Sequence, residues 1–292
     1  MRPLIYTAKE DDAGMPVRHV LTEVFMMSSS HVSRLKRREG GILLNGSSCY
    51  VTARLRAGDT VSALISDPPD TKRLDPIEFP LEIVYEDEWL VVVNKPAGLT
   101  VHPERLGMGS SVENALTGML GDDEFVHTVS RLDRGTSGLM TVAKSGYVHE
   151  RMIRLLHTPG FYKEYLGLVW GAPAEKHGFI EKPLAHPEGE NYRMVVIENG
   201  LYCRTEYELI KSFDGMSLVR LVPHTGRMHQ LRAHMAAIGC PLVGDWLYGE
   251  ESPLISHAAL HSSRLRFIHP ITKEAVELTA PLPDEICALI PE

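Results

Sequence analysis

A proline-rich break near residue 70 divides the 292-residue chain into two unequal parts. Asp67-Pro68-Pro69-Asp70 is followed by Pro76 and Pro80. Proline lacks a backbone donor and disfavours helix in the residue before it, so helices and central strands do not tolerate such a stretch. We predict a small N-terminal domain over residues 1–67, a linker over 68–80 and a larger domain over 81–292.

The composition is that of an ordinary globular protein, with 43% hydrophobic and 23% charged residues. No apolar run reaches the roughly 18 residues of a membrane span, and the first residues lack a signal-peptide pattern. The four cysteines are widely spread and form no C-x-x-C pair, which argues against a zinc ribbon and a disulfide scaffold. We therefore expect a cytoplasmic protein without a membrane partner. The sequence does not indicate an oligomeric state, and a monomer is the default expectation.

The charge of the chain is unevenly distributed. The net charge is −8, which alone argues against a nucleic-acid partner. Ser28–Arg56, however, holds six basic residues and one acidic residue, whereas Asp70–Val126 holds twelve acidic and four basic residues. A basic patch on an acidic body is still an electrostatic footprint for nucleic acid.

The N-terminal part has the pattern of two helices and a small sheet. Apolar residues at positions 17, 20, 21, 24 and 25 predict a first helix, and a second is predicted over His31–Glu39. Ile42–Leu44 and Cys49–Val51 around Asn45-Gly46 predict a hairpin, and Thr60–Ile65 predicts another strand.

This pattern, from about Pro16 to Ile65, resembles the alpha-L RNA-binding domain. The resemblance implies that the basic second helix and the following turn lie on RNA phosphates. It gives four candidate contacts: Arg34, Lys36, Arg37 and Arg38. Lys and Arg on one exposed face suit phosphate binding. The alternative is a solvated basic face in a small interaction module.

The C-terminal part alternates apolar runs with turns. It predicts strands at Leu90–Val93, Leu139–Val142, Tyr165–Val169 and Ser217–Val222, and helices at Ser111–Met119, His149–Leu156 and Met228–Ile238. This mixture predicts an α+β fold with a mainly antiparallel sheet.

One turn, Val129–Met140, could carry chemistry. Asp133 lies between Arg131 and Arg134 in a glycine-rich stretch before an apolar strand. Nearby cations keep a carboxylate ionised, and an ionised carboxylate in a cleft can act as a nucleophile. The residues alone also allow an ordinary surface turn with ion pairs.

A metal site is a weaker possibility. His224, His229 and His234 are five residues apart, with Asp245 beyond. Five residues turn a helix about 140° past one face, so a single helix cannot present all three together. We predict no metal ligands, and a metal-dependent hydrolase remains the alternative that these histidines would support.

Four ordered blocks resemble the RluA family of pseudouridine synthases. The blocks are Val93–Pro103 (N-K-P-x-G-x-x-V-H-P), Val129–Met140 (R-L-D-x-x-T-S-G), Lys163–Gly171 (K-x-Y-x-A-x-V-x-G) and His224–Met235 (T-G-R-T-H-Q-I-R-x-H). Ser130, Met228 and Gly167 depart from the usual residues. The resemblance implies a catalytic domain with a central cleft, and the isomerisation of uridine in RNA without a cofactor.

By this resemblance Asp133 is the catalytic carboxylate, which attacks the anomeric carbon or stabilises charge there. Arg232 pairs with it and can hold both of its oxygens. Tyr165 lies against the uracil and helps remove its proton, and Arg131 enters the space of the displaced nucleotide. The remaining predicted substrate-binding residues are His102, Arg227, His229 and Gln230, of which the last two either contact RNA or support the arginine.

We therefore predict an RNA pseudouridine synthase. The N-terminal domain favours large-subunit ribosomal RNA over transfer RNA as substrate. The alternative from another functional class is a non-catalytic RNA-binding factor of ribosome assembly.

Overall fold

The computed structural model describes residues 3–68, 71, 73–103, 110–121, 125–156 and 158–291. Its strands are β1 Leu4–Thr7, β2 Ile42–Leu44, β3 Ser47–Ser48, β4 Thr60–Ala63, β5 Glu82–Glu86, β6 Leu90–Lys95, β7 His127–Thr128, β8 Ser137–Ala143, β9 Phe161–Trp170, β10 His177–Ile180, β11 Leu184–Ala185, β12 Val195–Val196, β13 Thr205–Phe213, β14 Met216–Pro223, β15 Leu260–Ile268 and β16 Ala275–Thr279. Its α-helices are α1 Val17–His19, α2 Ser29–Leu35, α3 Val112–Leu120, α4 Gly146–Leu156, α5 Gln230–Ala237 and α6 Asp284–Cys287. Glu10–Asp12 forms a 3-10 turn, and Val20–Val24 forms a π-helical turn.

The N-terminal part folds into a four-stranded antiparallel sheet in the order β1-β4-β2-β3, with the two helical segments packed beside it. Asn45 and Gly46 both have positive φ, 51° and 77°, as the tight turn of a two-residue hairpin requires. The hairpin is confirmed, but its second strand is Ser47–Ser48 and not Cys49–Val51.

The second helix, predicted over His31–Glu39, ends earlier in the structure, at Leu35. The backbone N–H groups of Arg37 and Arg38 donate to the carbonyls of Arg34 and Leu35, three residues earlier, and so form a tight turn. The Arg38 guanidinium donates to the Ser66 carbonyl at 2.6 Å, which ties this turn to the end of the module. Most of the basic cluster therefore lies on a turn and not on a helix.

The C-terminal part is built on a ten-stranded mixed sheet. Its main path runs β10-β13-β14-β9-β15-β8-β6-β5, with β16 on β15 and β7 on β8. Only β8 and β15 pair in parallel among the described strands, so the predicted α+β fold with a mainly antiparallel sheet is confirmed. The predicted strands and helices of this part are all present, several of them a few residues longer.

The two parts share one hydrophobic core instead of being joined only by a linker. Buried residues of the N-terminal module pack with Tyr147, Val148 and Met152 of α4. The Tyr147 hydroxyl donates to the Phe25 carbonyl at 2.6 Å, and the Asp67 carboxylate accepts from the Gly146 backbone N–H at the start of α4. The boundaries 1–67, 68–80 and 81–292 stay a prediction, and linker residues 69, 70 and 72 lie outside the described residues.

None of the helices in the described ranges is both long enough and apolar enough to span a bilayer.

Candidate active site

The register of the central strands brings the predicted catalytic residues together. β8 begins beside His261 of β15, and the next residue of β15, Ser262, lies opposite Tyr165 of β9. The loop carrying Asp133 leads directly into β8, so it ends next to Tyr165. Gly138 permits this approach: it has φ +107°, and a Cβ there would overlap the backbone of Ser262.

Helix α5 places Arg232 between two carboxylates. Its Nη1 donates to Oδ2 of Asp133 at 3.3 Å, while Nε and Nη2 donate to the two oxygens of Asp245 at 2.8 and 2.7 Å. The expectation that Arg232 holds both oxygens of Asp133 is wrong, because Asp245 is the bidentate partner. Burial opposes the guanidinium charge, but the hydrogen bonds to Asp245 and the attraction of both carboxylates outweigh it and raise the pKa of Arg232.

Asp133 is held on one side and open on the other. Its side chain is 25% exposed, and both of its close contacts fall on Oδ2: Arg232 Nη1 at 3.3 Å and His229 Nε2 at 3.8 Å. No described residue makes a hydrogen bond or ion pair with Oδ1. One oxygen of Asp133 is therefore oriented by protein groups, and the other is available to a substrate.

Lys95, which belongs to the first of the four motif blocks, holds the Asp133 loop in place from inside the protein. Its fully buried Nζ donates to the carbonyls of Pro96, Leu99 and Arg134 at 2.9, 2.8 and 3.1 Å. Burial lowers the pKa of Lys95 to about 7, and the Asp133 charge acts in the opposite direction. Three carbonyl acceptors match the three donors of an ammonium group. Lys95 thus ties the end of β6 to the residue that follows Asp133.

Tyr165 forms part of the wall of the cleft. It lines the same cavity as Asp133 and is 7% exposed. Burial raises the pKa of its phenol, and the Asp133 charge adds to this effect. Tyr165 is therefore protonated at neutral pH, and its predicted part in removing the uracil proton stays a prediction.

The cleft itself has a volume of about 990 Å³ and runs between the Asp133 loop, β9 and the start of α5. Arg131 and Arg227 line it and are both exposed, as expected of residues that meet a substrate. His102 lies in a neighbouring recess that Arg131 also lines, with its Nδ1 3.0 Å from Glu113. The substrate-binding roles of Arg131, Arg227 and His102 stay predictions.

Gln230 is placed differently from the prediction of RNA contact. It is 4% exposed, and its amide oxygen accepts from Thr225 and from the Arg227 backbone. Its amide nitrogen donates to the Arg204 carbonyl and to Thr205 at 3.0 Å each. All of this hydrogen-bonding capacity is used inside the protein, so Gln230 supports the turn before α5.

The three histidines of the metal alternative diverge. His224 Nε2 lies 3.1 Å from Glu206, and His229 contacts Asp133. His234 is buried between Thr205 and the Lys182 carbonyl. In the described ranges no group of three or more His, Cys, Asp or Glu side chains is arranged to hold a metal ion.

The basic residues of the N-terminal module differ in whether they contact other protein groups. Lys36 and Arg37 are exposed, and no described residue pairs with them. Arg34 is exposed but contacts His31 at 3.2 Å. Arg38 is bound to Ser66 and the Asp67 carbonyl, so its predicted contact with phosphate is corrected to a structural role.

Two framework residues, Lys95 and Asp245, were not among the predicted site residues. A signal for each exists in the sequence. Lys95 ends a strand of consecutive apolar residues, where a lysine needs a reason to be buried. Asp245 follows Pro241 and Gly244, residues typical of turns, and Gly244 indeed has a φ of +74°.

A family model described as RNA pseudouridylate synthase matches residues 89–237. Among curated relatives, an uncharacterized RNA pseudouridine synthase, YlyB of Bacillus subtilis (strain 168), is 33% identical over 87% of this chain and 86% of that protein. Ribosomal large subunit pseudouridine synthase D of Vibrio cholerae is 32% identical over 97% of this chain and 92% of its own.

Two solved structures are similar in fold. Human RNA Pseudouridylate Synthase Domain Containing 4 has a TM-score of 0.58 and 26% identity, covering 70% of this chain and 90% of that one. Human RNA Pseudouridylate Synthase Domain Containing 1 has a TM-score of 0.58 and 28% identity, with coverages of 71% and 86%.

Proposed function

Because the chain belongs to the RNA pseudouridylate synthase family, we propose that it converts specific uridines of large-subunit ribosomal RNA to pseudouridine, with Asp133 as its catalytic carboxylate. The observation that carries the role of Asp133 is its geometry: one oxygen is held by Arg232 and the other is uncontacted by described residues, in a cleft that Tyr165 also lines.

The reaction is an isomerisation that needs no net redox change or hydrolysis. The bond from ribose C1′ to uracil N1 breaks, the uracil turns, and a bond from C1′ to C5 forms. The hydrogen on C5 leaves as a proton, and N1 ends protonated. The protein must therefore stabilise or capture C1′ and hold the free uracil, while the C5 proton leaves to solvent and N1 takes one up.

Asp133 serves the first of these tasks. Its open Oδ1 is suited both to attack on C1′ and to stabilising positive charge there. Arg232 fixes the orientation of the carboxylate through its hydrogen bond to Oδ2. Tyr165 serves the second task by packing against the uracil, and as a protonated phenol it can exchange hydrogen bonds with the base.

RNA binding would extend beyond the cleft. Arg131 and Arg227 flank the cleft mouth, and Arg131 would occupy space left by the displaced nucleotide. Lys36 and Arg37, with Arg34 beside them, would add phosphate contacts from the N-terminal module. Large-subunit ribosomal RNA is favoured over transfer RNA, because several relatives matched along most of this chain carry that substrate in their names. We propose further that the protein works as a cytoplasmic monomer.

A non-catalytic RNA-binding factor would not need this arrangement. Such a protein could keep the cleft and the basic turn but would have no use for a carboxylate clamped by a buried arginine. The Arg232–Asp245 pair, which is costly to bury, favours an enzyme.

The substrate is tested by mapping pseudouridine in total RNA from cells with and without the gene, using carbodiimide labelling. We expect one or a few sites in large-subunit ribosomal RNA to disappear. A wild-type copy should restore them, and an Asp133→Ala copy should not. Loss of sites in transfer RNA alone would reject the proposed substrate, and restoration by Asp133→Ala would reject the catalytic residue.

A further inference from the structure

A short turn after α5 supplies a group that none of the sequence motifs assigned. In the turn Gly244–Gly249, the backbone N–H groups of Tyr248 and Gly249 bond back to the Asp245 carbonyl at 3.3 and 2.8 Å. This turn directs the Asp245 carboxylate to Arg232 and also directs the Tyr248 hydroxyl to His229. Both residues that contact Oδ2 of Asp133 are thus held by one turn.

His229 stands in an unusual backbone conformation. It is the N-cap of α5, with φ 51° and ψ 20°, the left-handed region that residues with a Cβ seldom adopt. Such strain at a site is maintained only when the surroundings hold it, and it often marks a functional residue. The imidazole is 16% exposed and lines the cleft, with Nε2 3.8 Å from Oδ2 of Asp133.

The hydrogen bonds around Tyr248 favour one position for the proton of the His229 ring. The Met194 backbone N–H donates to Tyr248 Oη at 2.8 Å, and Tyr248 Oη lies 3.1 Å from His229 Nδ1. The hydroxyl accepts from Met194, so its own hydrogen is free to be donated to Nδ1. Nδ1 is then the acceptor of the neutral ring, and Nε2 carries the hydrogen.

The electrostatics on the other side of the ring favour the same tautomer. An N–H on Nε2 is attracted to the Asp133 carboxylate, whereas a lone pair there would be repelled by it. We propose that Tyr248 is a positioning residue, which holds His229 with its proton on Nε2 so that this N–H supports Oδ2 of Asp133 beside Arg232. The inference rests on the proposed role of Asp133 and adds Tyr248 to the machinery.

The charge of His229 matters for the reaction. The groups that face it are Asp133 and Arg131 of the catalytic loop, Arg232 of α5, and Asp245 with Tyr248 of the following turn. Burial lowers the pKa of His229, and the two arginines add to this effect while the two carboxylates oppose it. A neutral His229 leaves Asp133 with one cationic partner, so Oδ1 keeps its electron density. A protonated His229 would add a second cation and weaken attack or charge stabilisation at C1′.

The tautomer is measured directly in the free protein, by NMR of uniformly ¹⁵N-histidine-labelled wild type. A His229→Gln spectrum, which lacks one set of signals, assigns the resonances of His229. We expect a neutral ring near pH 7 with the hydrogen on Nε2. In Tyr248→Phe, which removes only the hydroxyl, we expect a mixture of tautomers and a higher titration midpoint, because Nδ1 has lost the donor that stabilised its lone pair.

Kinetics on a large-subunit ribosomal RNA transcript give the functional result. Tyr248→Phe should lower kcat about five- to ten-fold, the value of one net hydrogen bond, with little change in KM. The acid limb of its kcat profile should move to higher pH. Tyr85→Phe, which removes a hydroxyl bonded to Asp87 elsewhere in the same sheet, should leave both unchanged.

A hydrogen on Nδ1 in the wild type would overturn the proposal, as would a Tyr248→Phe variant with the wild-type tautomer and acid limb. A wild type that is inactive on the transcript would instead reject the proposed substrate. The NMR result would still decide the tautomer, so the two failures are distinguishable.

Discussion

The two carboxylates that share Arg232 should lose very different amounts of stability on the same substitution. Asp245 is 1% exposed and makes two short hydrogen bonds to the guanidinium, whereas Asp133 is 25% exposed at its side chain and makes one bond of 3.3 Å. Breaking a buried ion pair from one side costs about 3–5 kcal/mol, while a partly exposed pair contributes about 0.2–1 kcal/mol. Asp245→Asn should therefore be strongly destabilising, and Asp133→Asn should cost less than about 1 kcal/mol.

The assay is urea unfolding of the purified variants, followed by tryptophan fluorescence and circular dichroism. With a dependence on urea of about 3 kcal/mol per molar, Asp245→Asn should lower the midpoint by roughly 1–2 M. Asp133→Asn should unfold near the wild-type midpoint and yet form no pseudouridine. Each variant is the matched control of the other, because both replace one carboxylate of the same arginine by an amide.

Equal midpoints for the two variants would refute this reasoning, since Asp245 would then not be the main partner of the buried guanidinium. A larger loss of stability in Asp133→Asn than in Asp245→Asn would refute it as well. Asp245→Asn should also lose activity, because Arg232 would no longer be held in the orientation that reaches Asp133.

Three further predictions concern Lys95, Gly138 and the exposed pair Lys36 and Arg37. Lys95→Met removes the donor to three carbonyls and should lower the free energy of unfolding by about 3 kcal/mol or more. An unchanged urea midpoint would show that these hydrogen bonds do not stabilise the fold. Gly138→Ala places a Cβ against the backbone of the neighbouring strand, at a residue whose φ is in the left-handed region. It should therefore reduce both stability and kcat. Wild-type values for both would contradict the strand register. The double variant Lys36→Ala, Arg37→Ala should weaken binding to ribosomal RNA in a filter-binding assay and reduce the slope of log K against log salt by up to about 2. The control Lys176→Ala, which changes an exposed lysine elsewhere, should leave that slope unchanged. A double variant with the wild-type slope would exclude the turn from the RNA interface.

Much of the catalytic half was accessible from the sequence because its signals are local. The strands β6, β8, β9 and β14 contain runs of apolar residues, and each was predicted to within a few residues of its observed limits. The motif blocks that resemble the RluA family lie at or within three of these strands and on α5. The fold then brings Asp133, Tyr165 and Arg232 to one cleft, as their order in the motifs implied.

The errors came from partners that are distant in the chain. Arg38 looked like a phosphate ligand because it lies in a basic cluster, but its role is decided by Ser66, 28 residues away. Arg232 was assigned to Asp133 with both donors, but Asp245 competes for it from the turn that follows α5. Gln230 was predicted to contact RNA or support the arginine, but its amide bonds to the Arg204 carbonyl and to Thr205 at the start of β13. Local patterns show which groups are charged or polar, and tertiary contacts decide what they bind.

The packing of the two parts was also beyond local reasoning. The prolines after Asp67 predicted a linker, yet Asp67 itself accepts hydrogen bonds from His127 and from the start of α4. Those contacts depend on the position of α4, which is set by the large sheet. The apolar faces of the N-terminal helices gave no sign of whether they cover their own sheet alone or also α4.

The central claim is that Asp133 performs uridine isomerisation in RNA, and release of the C5 hydrogen measures it most directly. Large-subunit ribosomal RNA transcribed with uridine tritiated at C5 would be incubated with purified wild-type protein and with Asp133→Asn, under single-turnover conditions. We expect stoichiometric release of tritium by the wild type at one or a few uridines, and none by Asp133→Asn despite comparable RNA binding. Tritium release by Asp133→Asn at the wild-type rate would contradict the assignment of Asp133 as the catalytic carboxylate.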